Sequence, residues 1–159
     1  MKLTYSDDAA TARWWQHYPM PMIDVYAQPG TFADKRKLAI ALANAMMRWE
    51  RVPPIPLFKD NTAAFVHELS ADSFSNAAEK SNYVRVQILT PAGVLDREKK
   101  LGVVAEMTTI VAQAAGDASL SERTWVLIAE APDGGWGIAG HAYTNAEIAE
   151  TARRDLAPK

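Results

Sequence analysis

The stretch Met20-Pro21-Met22-Ile23-Asp24-Val25-Tyr26-Ala27-Gln28-Pro29-Gly30 decides the fold, because the chain builds the same kind of unit on it twice. Ile23 to Ala27 reads as a short strand of β-branched and aromatic residues, broken by Gln28-Pro29-Gly30. A helix should follow, with Thr31 and Asp34 as caps and Leu38, Ala41, Leu42, Ala45, Met46 and Trp49 on one face. Pro53, Pro54 and Pro56 close it, and Ala63 to Leu69 reads as a second strand. Ser70 to Ala78 is polar loop around Phe74.

The pattern then begins again. Tyr83 to Leu89 alternates as a strand, Thr90-Pro91-Ala92-Gly93 breaks it, and Asp96 caps a helix whose apolar side carries Leu101, Val104, Met107, Thr108 and Val111. Gly116 suits the C′ position of that helix. Trp125 to Ala131 is the matching strand, followed by the loop Pro132 to Gly140. Gly30 matches Gly93, Glu68 matches Glu130 and Phe74 matches Trp136, at spacings equal to within a residue. Such an internal repeat indicates a duplicated β-α-β unit.

Strands joined through a helix are parallel with a right-handed crossover, so two units give an α/β (α+β) fold: a four-stranded mixed sheet with two helices on one face. The other face is then largely apolar and needs neighbouring subunits to cover it. The expected organisation is an N-terminal extension over 1-19 and a single domain over 20-159, with unit one at 20-80 and unit two at 81-142. A capping box at Thr144-Asn145-Ala146-Glu147 opens a C-terminal helix over 144-155. In the extension, Ser6-Asp7-Asp8 could cap a helix reaching Tyr18 with Thr11, Trp14 and Trp15 on one side.

Composition narrows the function. With 159 residues, 48% of them hydrophobic, the chain supports one full core. A net charge of −2 gives no basic stripe for nucleic acid. There is no cysteine, which excludes disulfide and thiolate chemistry and fits a cytoplasmic setting. His17, His67 and His141 lack the His-x-x-x-His spacing of a helical metal site, so no metal is expected. No membrane-spanning run or export signal is apparent.

The two units resemble the tautomerase superfamily, which includes 4-oxalocrotonate tautomerase, the macrophage inhibitory factor group and the cis-3-chloroacrylic acid dehalogenase group. The likeness covers residues 20 to 150 and is carried by Met20-Pro21-Met22-Ile23-Asp24-Val25-Tyr26 with Gly30, and by Trp125-Val126-Leu127-Ile128-Ala129-Glu130 leading into Gly134-Gly135-Trp136-Gly137-Ile138-Ala139-Gly140. It implies a homotrimer, no cofactor, a small carbonyl or carboxylate substrate, and catalysis by the amine of an N-terminal proline, here Pro21. Isomerase chemistry is the first expectation; hydratase, dehalogenase or decarboxylase chemistry is open to the same amine. Pro21 is internal in this sequence, and an internal proline is an amide without a basic lone pair. Translation from Met20 followed by methionine removal would expose it. The alternative is a non-catalytic small-molecule-binding or oligomer-building module of the same fold.

The carboxylate-binding arginines that the resemblance implies are replaced by Thr31, Val94 and Trp125. Arg48, Arg85, Arg97 and Arg123 are the candidate substitutes, each more readily read as a solvated surface residue. Trp136 matches the pocket aromatic, and Glu130, like Glu68, could orient water or substrate. His67 with Glu130 is a third possible catalytic arrangement.

Overall fold

The computed structural model describes residues 19–158; the expected N-terminal helix, with Trp14 and Trp15, lies outside them. Strand β1 (Met22–Ala27) is followed by helix α1 (Lys35–Glu50), a short helix α2 (Pro56–Asn61) and strand β2 (Ala63–Glu68). The second unit repeats the order with β3 (Val84–Pro91), α3 (Arg97–Ala115), a 3-10 helix (Ala118–Arg123) and β4 (Thr124–Ala131). A hairpin of β5 (Trp136–Ile138) and β6 (His141–Tyr143) and helix α4 (Asn145–Leu156) complete the chain.

The sheet order is β2-β1-β3-β4, parallel within each unit and antiparallel where β1 meets β3. The two crossovers thus join through their first strands. Ile23, Val25 and Ala27 of β1 and Val84, Val86 and Ile88 of β3 face the helices and pack with Leu38, Leu42, Met46, Val103, Met107 and Val111 in one core. Asp34 caps α1 by accepting from the Lys37 backbone N–H at 2.9 Å, and Asp96 caps α3 likewise through Lys99 at 2.8 Å. Gly116 ends α3 in the left-handed conformation that favours glycine.

Three local expectations shift. Leu101 and Val104 are exposed rather than core, because the buried stripe of α3 runs through Val103, Met107 and Val111. Gly102 sits under the Trp49 indole, which any Cβ there would strike. Pro56 opens α2 instead of merely closing α1, since proline is favoured in a first helical turn. The segment ending at Gly140 is not all loop: Trp136 to Tyr143 form a hairpin turned by Ala139 and Gly140, both at positive φ.

Among the described residues, the second face of the sheet carries no helix. It exposes Phe65, Leu89, Trp125 and Leu127, but a polar group interrupts the apolar surface. There the His67 Nε2 lies 2.6 Å from Asp24 Oδ1, and the His67 ring stacks on Tyr26 at 4.6 Å between centroids. The Arg85 guanidinium stands 5.1 Å above the other side of that tyrosine system. No helix among the described residues is long and apolar enough to cross a membrane.

Candidate active site

Pro21 sits one residue ahead of β1 and is buried. Its carbonyl accepts from the Ala63 N–H at 3.3 Å, which locks it against the start of β2. Strand alternation puts its ring on the helix side with Ile23 and Val25. One step beyond the paired residues, the register sets Pro21 between Thr62 and Thr90.

Upstream of it, Met20 is only 1% exposed. It fills a second apolar cluster with Val52, Phe58, Ala131, Trp136, Ile148, Ala149 and Ala152. Trp136 therefore shares the surroundings of the Met20–Pro21 junction, where α4 and the β5–β6 hairpin close over the end of the sheet. A recess of about 40 Å³ remains beside Met20, bounded by Leu57, Ile138, Tyr143, Ile148 and Thr151. In the chain as it stands, the Pro21 nitrogen is an amide and the Met20 side chain occupies the space next to it.

Beneath the same end of β1 lies an acid that the sequence reading did not single out. Glu50, the last residue of α1, is 5% exposed. The Thr90 hydroxyl donates to its Oε1 at 2.9 Å. Burial pushes the Glu50 carboxyl up to about 8, against the opposing pull of the Thr90 hydrogen bond and the Lys99 charge. Glu50 Oε2 and Thr62 Oγ1 are the two buried side-chain oxygens that find no hydrogen-bond partner among the described residues. The available signal was positional: Glu50 follows Met46 by one helical turn on the buried stripe of α1.

The other candidates are dispersed within one chain. Arg48 pairs with Glu106 across α1 and α3, and the Trp49 indole N–H donates to the second Glu106 oxygen at 2.6 Å. Arg85 is on the open face, donating to Gln87 at 3.0 Å. Arg97 opens α3 and is exposed. Arg123 contacts the Asn82 carbonyl, Asp117 at 3.0 Å and Ser119 at 3.1 Å. It lines a cavity of about 220 Å³ with Gln28, Thr31 and Tyr83, at the opposite end of β1 from Pro21. The Ser119 hydroxyl, with further help from Arg123, holds the Asp117 carboxyl below its ordinary range.

Glu130 pairs with Lys100 at 3.4 Å, as Glu68 pairs with Lys35 at 3.1 Å. His67 and Glu130 lie on opposite edge strands, three strand spacings apart and five residues out of register, and form no pair. The structure thus gathers Met20, Pro21, Trp136, Glu50, Thr62 and Thr90 at one end of the sheet. It gathers Asp24, Tyr26, His67 and Arg85 on the open face. No group of three or more metal-ligating side chains occurs among the described residues.

Residues 83–146 match the sequence model of a family described as "Tautomerase enzyme". Among solved structures, a fused 4-OT wild-type symmetric trimer superposes with a TM-score of 0.64 at 18% identity, over 79% of this chain and 97% of that one. A member of the cis-3-chloroacrylic acid dehalogenase family gives 0.61 at 16% identity, over 86% and 92%. Macrophage migration inhibitory factor from Oncomelania hupensis gives 0.61 at 18% identity, over 85% and 89%. No curated protein sequence matches significantly. The second unit thus carries the tautomerase sequence signature, and both units together have the tautomerase fold.

Proposed function

We propose that this chain is a tautomerase-like isomerase acting on a small oxo-acid or unsaturated acid, with the amine of Pro21 as its proton-transfer group in the form that begins at that residue. The observation that carries this reading is the setting of Pro21: the start of β1, buried, beside an apolar cluster that contains Trp136. A terminal amine has an ordinary pKa near ~8, and apolar surroundings lower it by penalising the charged form. Such an amine takes a proton from the carbon next to a carbonyl. The C–H electrons become the C=C of the enol form, and the ammonium returns the proton elsewhere.

The open sheet face supports a homotrimer as the working assembly. Exposed Phe65, Leu89, Trp125 and Leu127 form an apolar area that subunit packing would cover. The fused 4-OT relative is a trimer. Within one chain Arg48, Arg85 and Arg123 are engaged with Glu106, Gln87 and Asp117, so on this reading a carboxylate is met by other groups, among them those of a neighbouring subunit.

A second reading has its own support. Met20 is packed to 1% exposure, so a protein retaining residues before Pro21 would have its amine replaced by an amide and its pocket filled. That form is a binding or assembly module without proton transfer at Pro21. Intact mass and N-terminal sequencing of the native protein separate the two, combined with turnover of phenylenolpyruvate or 2-hydroxymuconate. A native protein that starts at Pro21 and ketonises either compound faster than buffer supports the isomerase. A native mass that includes Met1 refutes proton transfer by Pro21.

A further inference from the structure

The end of β1 holds more polar chemistry than an apolar amine pocket requires. Thr62 and Thr90 flank Pro21 on the helix-facing side of the sheet, and Glu50 reaches Thr90 from below. Residues directly opposite across antiparallel strands have Cα atoms about 4.5–5.5 Å apart. Thr90 is therefore one strand spacing from Pro21, and the Glu50 carboxyl is one hydrogen bond further. The two buried oxygens without a partner, Glu50 Oε2 and Thr62 Oγ1, belong to this same group of residues. An unpaired buried polar atom costs free energy, so two of them around one residue call for a physical role.

Backbone geometry indicates what could pair with them. The N and C=O of one strand residue point toward the same neighbouring strand, and the Pro21 carbonyl points to β2. On that side the Pro21 ring Cδ takes the place of an amide hydrogen, and Thr62 and Thr90 stand on either side of the residue. A secondary ammonium there would bring two N–H donors and a positive charge into a site that has a spare hydroxyl, a spare carboxyl oxygen and no cation of its own element. Around Glu50 the charge acting from α3 is Lys99. Arg48, Arg51, Asp96, Glu98 and Glu106 line the recess outside the α1–α3 crossing, together with Trp49 and Lys99.

We propose that Glu50 is a positioning residue for the Pro21 amine: its buried carboxyl shares one proton with that amine and sets the amine's basicity, while Thr90 fixes the carboxyl in place. The inference rests on the reading of Pro21 as the amine of the working form. Apolar burial alone drives the amine toward its neutral state; a carboxylate nearby favours the ammonium. Two groups so coupled titrate in macroscopic steps that belong to the pair. In the reacting form the amine is neutral and the Glu50 carboxyl ionised; the one proton the pair comes to share is the substrate's carbon-bound proton, and the carboxylate stabilises the ammonium that this proton forms. When the proton is returned, the pair reverts to its starting charge.

The test uses a chain starting at Pro21, produced by expression from Met20 with methionine removal and verified by N-terminal sequencing. Both core clusters lie between Ile23 and Ala152 apart from Met20 itself, so this chain keeps every other buried residue of the two clusters. Nitrogen-15 proline labelling and NMR titration of the Pro21 amine give a readout that needs no turnover. Glu50→Gln lowers the titration midpoint by about one pH unit or more, since removing the carboxylate leaves burial unopposed. Thr90→Val lowers it by less and serves as the second variant where Glu50→Gln disturbs folding. In kinetics, the acidic limb of kcat/KM for phenylenolpyruvate moves with the NMR midpoint. Midpoints in both variants that stay at the wild-type value overturn the inference. An inactive wild-type protein with a Glu50-dependent amine titration refutes the isomerase reading while sustaining the pairing.

Discussion

Removing the charge capacity of Glu50 should abolish a pH dependence of stability that its buried carboxyl supplies. In the folded chain the carboxyl is pushed up from 4.5 to about 8 by burial. Between those values the folded state holds a proton that the unfolded state has released, so stability falls as pH rises. Each pH unit is worth about 1.4 kcal/mol, and the whole window therefore amounts to roughly 5 kcal/mol. Above pH 8 the loss is complete and the curve flattens. Glu50→Gln keeps the shape of the neutral acid and cannot ionise. Urea unfolding of the full chain, at half-unit steps from pH 5 to 9, should show wild-type stability declining toward pH 8 relative to the variant. The difference between the two proteins cancels the titration of every other group. Asp117 and Glu147 have carboxyls held below their ordinary ranges, by Ser119 and by the Thr144 backbone N–H respectively, and their effect lies below pH 4.5 with the opposite sign. Wild-type and Glu50→Gln curves running parallel from pH 5 to 8 would refute the assignment of Glu50 as a buried neutral acid.

Further substitutions probe the packing that positions this acid. Gly102→Ala places a methyl group against the Trp49 indole at the α1–α3 crossing, and should lower stability by about 1–3 kcal/mol in urea unfolding. Met20→Ala in the full chain empties part of a cluster in which Met20 is buried with Phe58, Trp136 and Ile148; a loss of roughly 2–5 kcal/mol is expected, read as a fall in Tm. Leu127→Glu puts a charge on the open sheet face without touching the core, and should shift sedimentation toward monomer while the monomer's circular dichroism is retained.

Which features could be read from the sequence follows from how far apart their determinants lie. Asp34, Asp96 and Gly116 announce helix ends through contacts within a few residues, and the structure uses each of them in that way. The alternation in Met22 to Ala27 and Val84 to Pro91 fixes which face is buried, because a strand buried on one side has no other economical pattern. Leu101 and Val104 went astray because α3 is apolar on several sides, so composition could not choose the stripe. The choice is made by Gly102, which admits Trp49 from another helix. The site shows the same division more sharply. Pro21 and Trp136 enter as candidates through family resemblance, whereas in the sequence Glu50 is one more charge at a helix end. Only the register that sets Thr90 and Thr62 on either side of Pro21, residues far apart in the chain, turns that charge into a buried acid. A carboxyl in that place is costly unless something offsets its unpaired oxygen. The same proximity explains why the identity of the residue before Pro21 matters so much. With Met20 attached the end of β1 is an amide beside a filled apolar cluster, and with Pro21 terminal it is an amine at the end of the sheet where Glu50 is also buried.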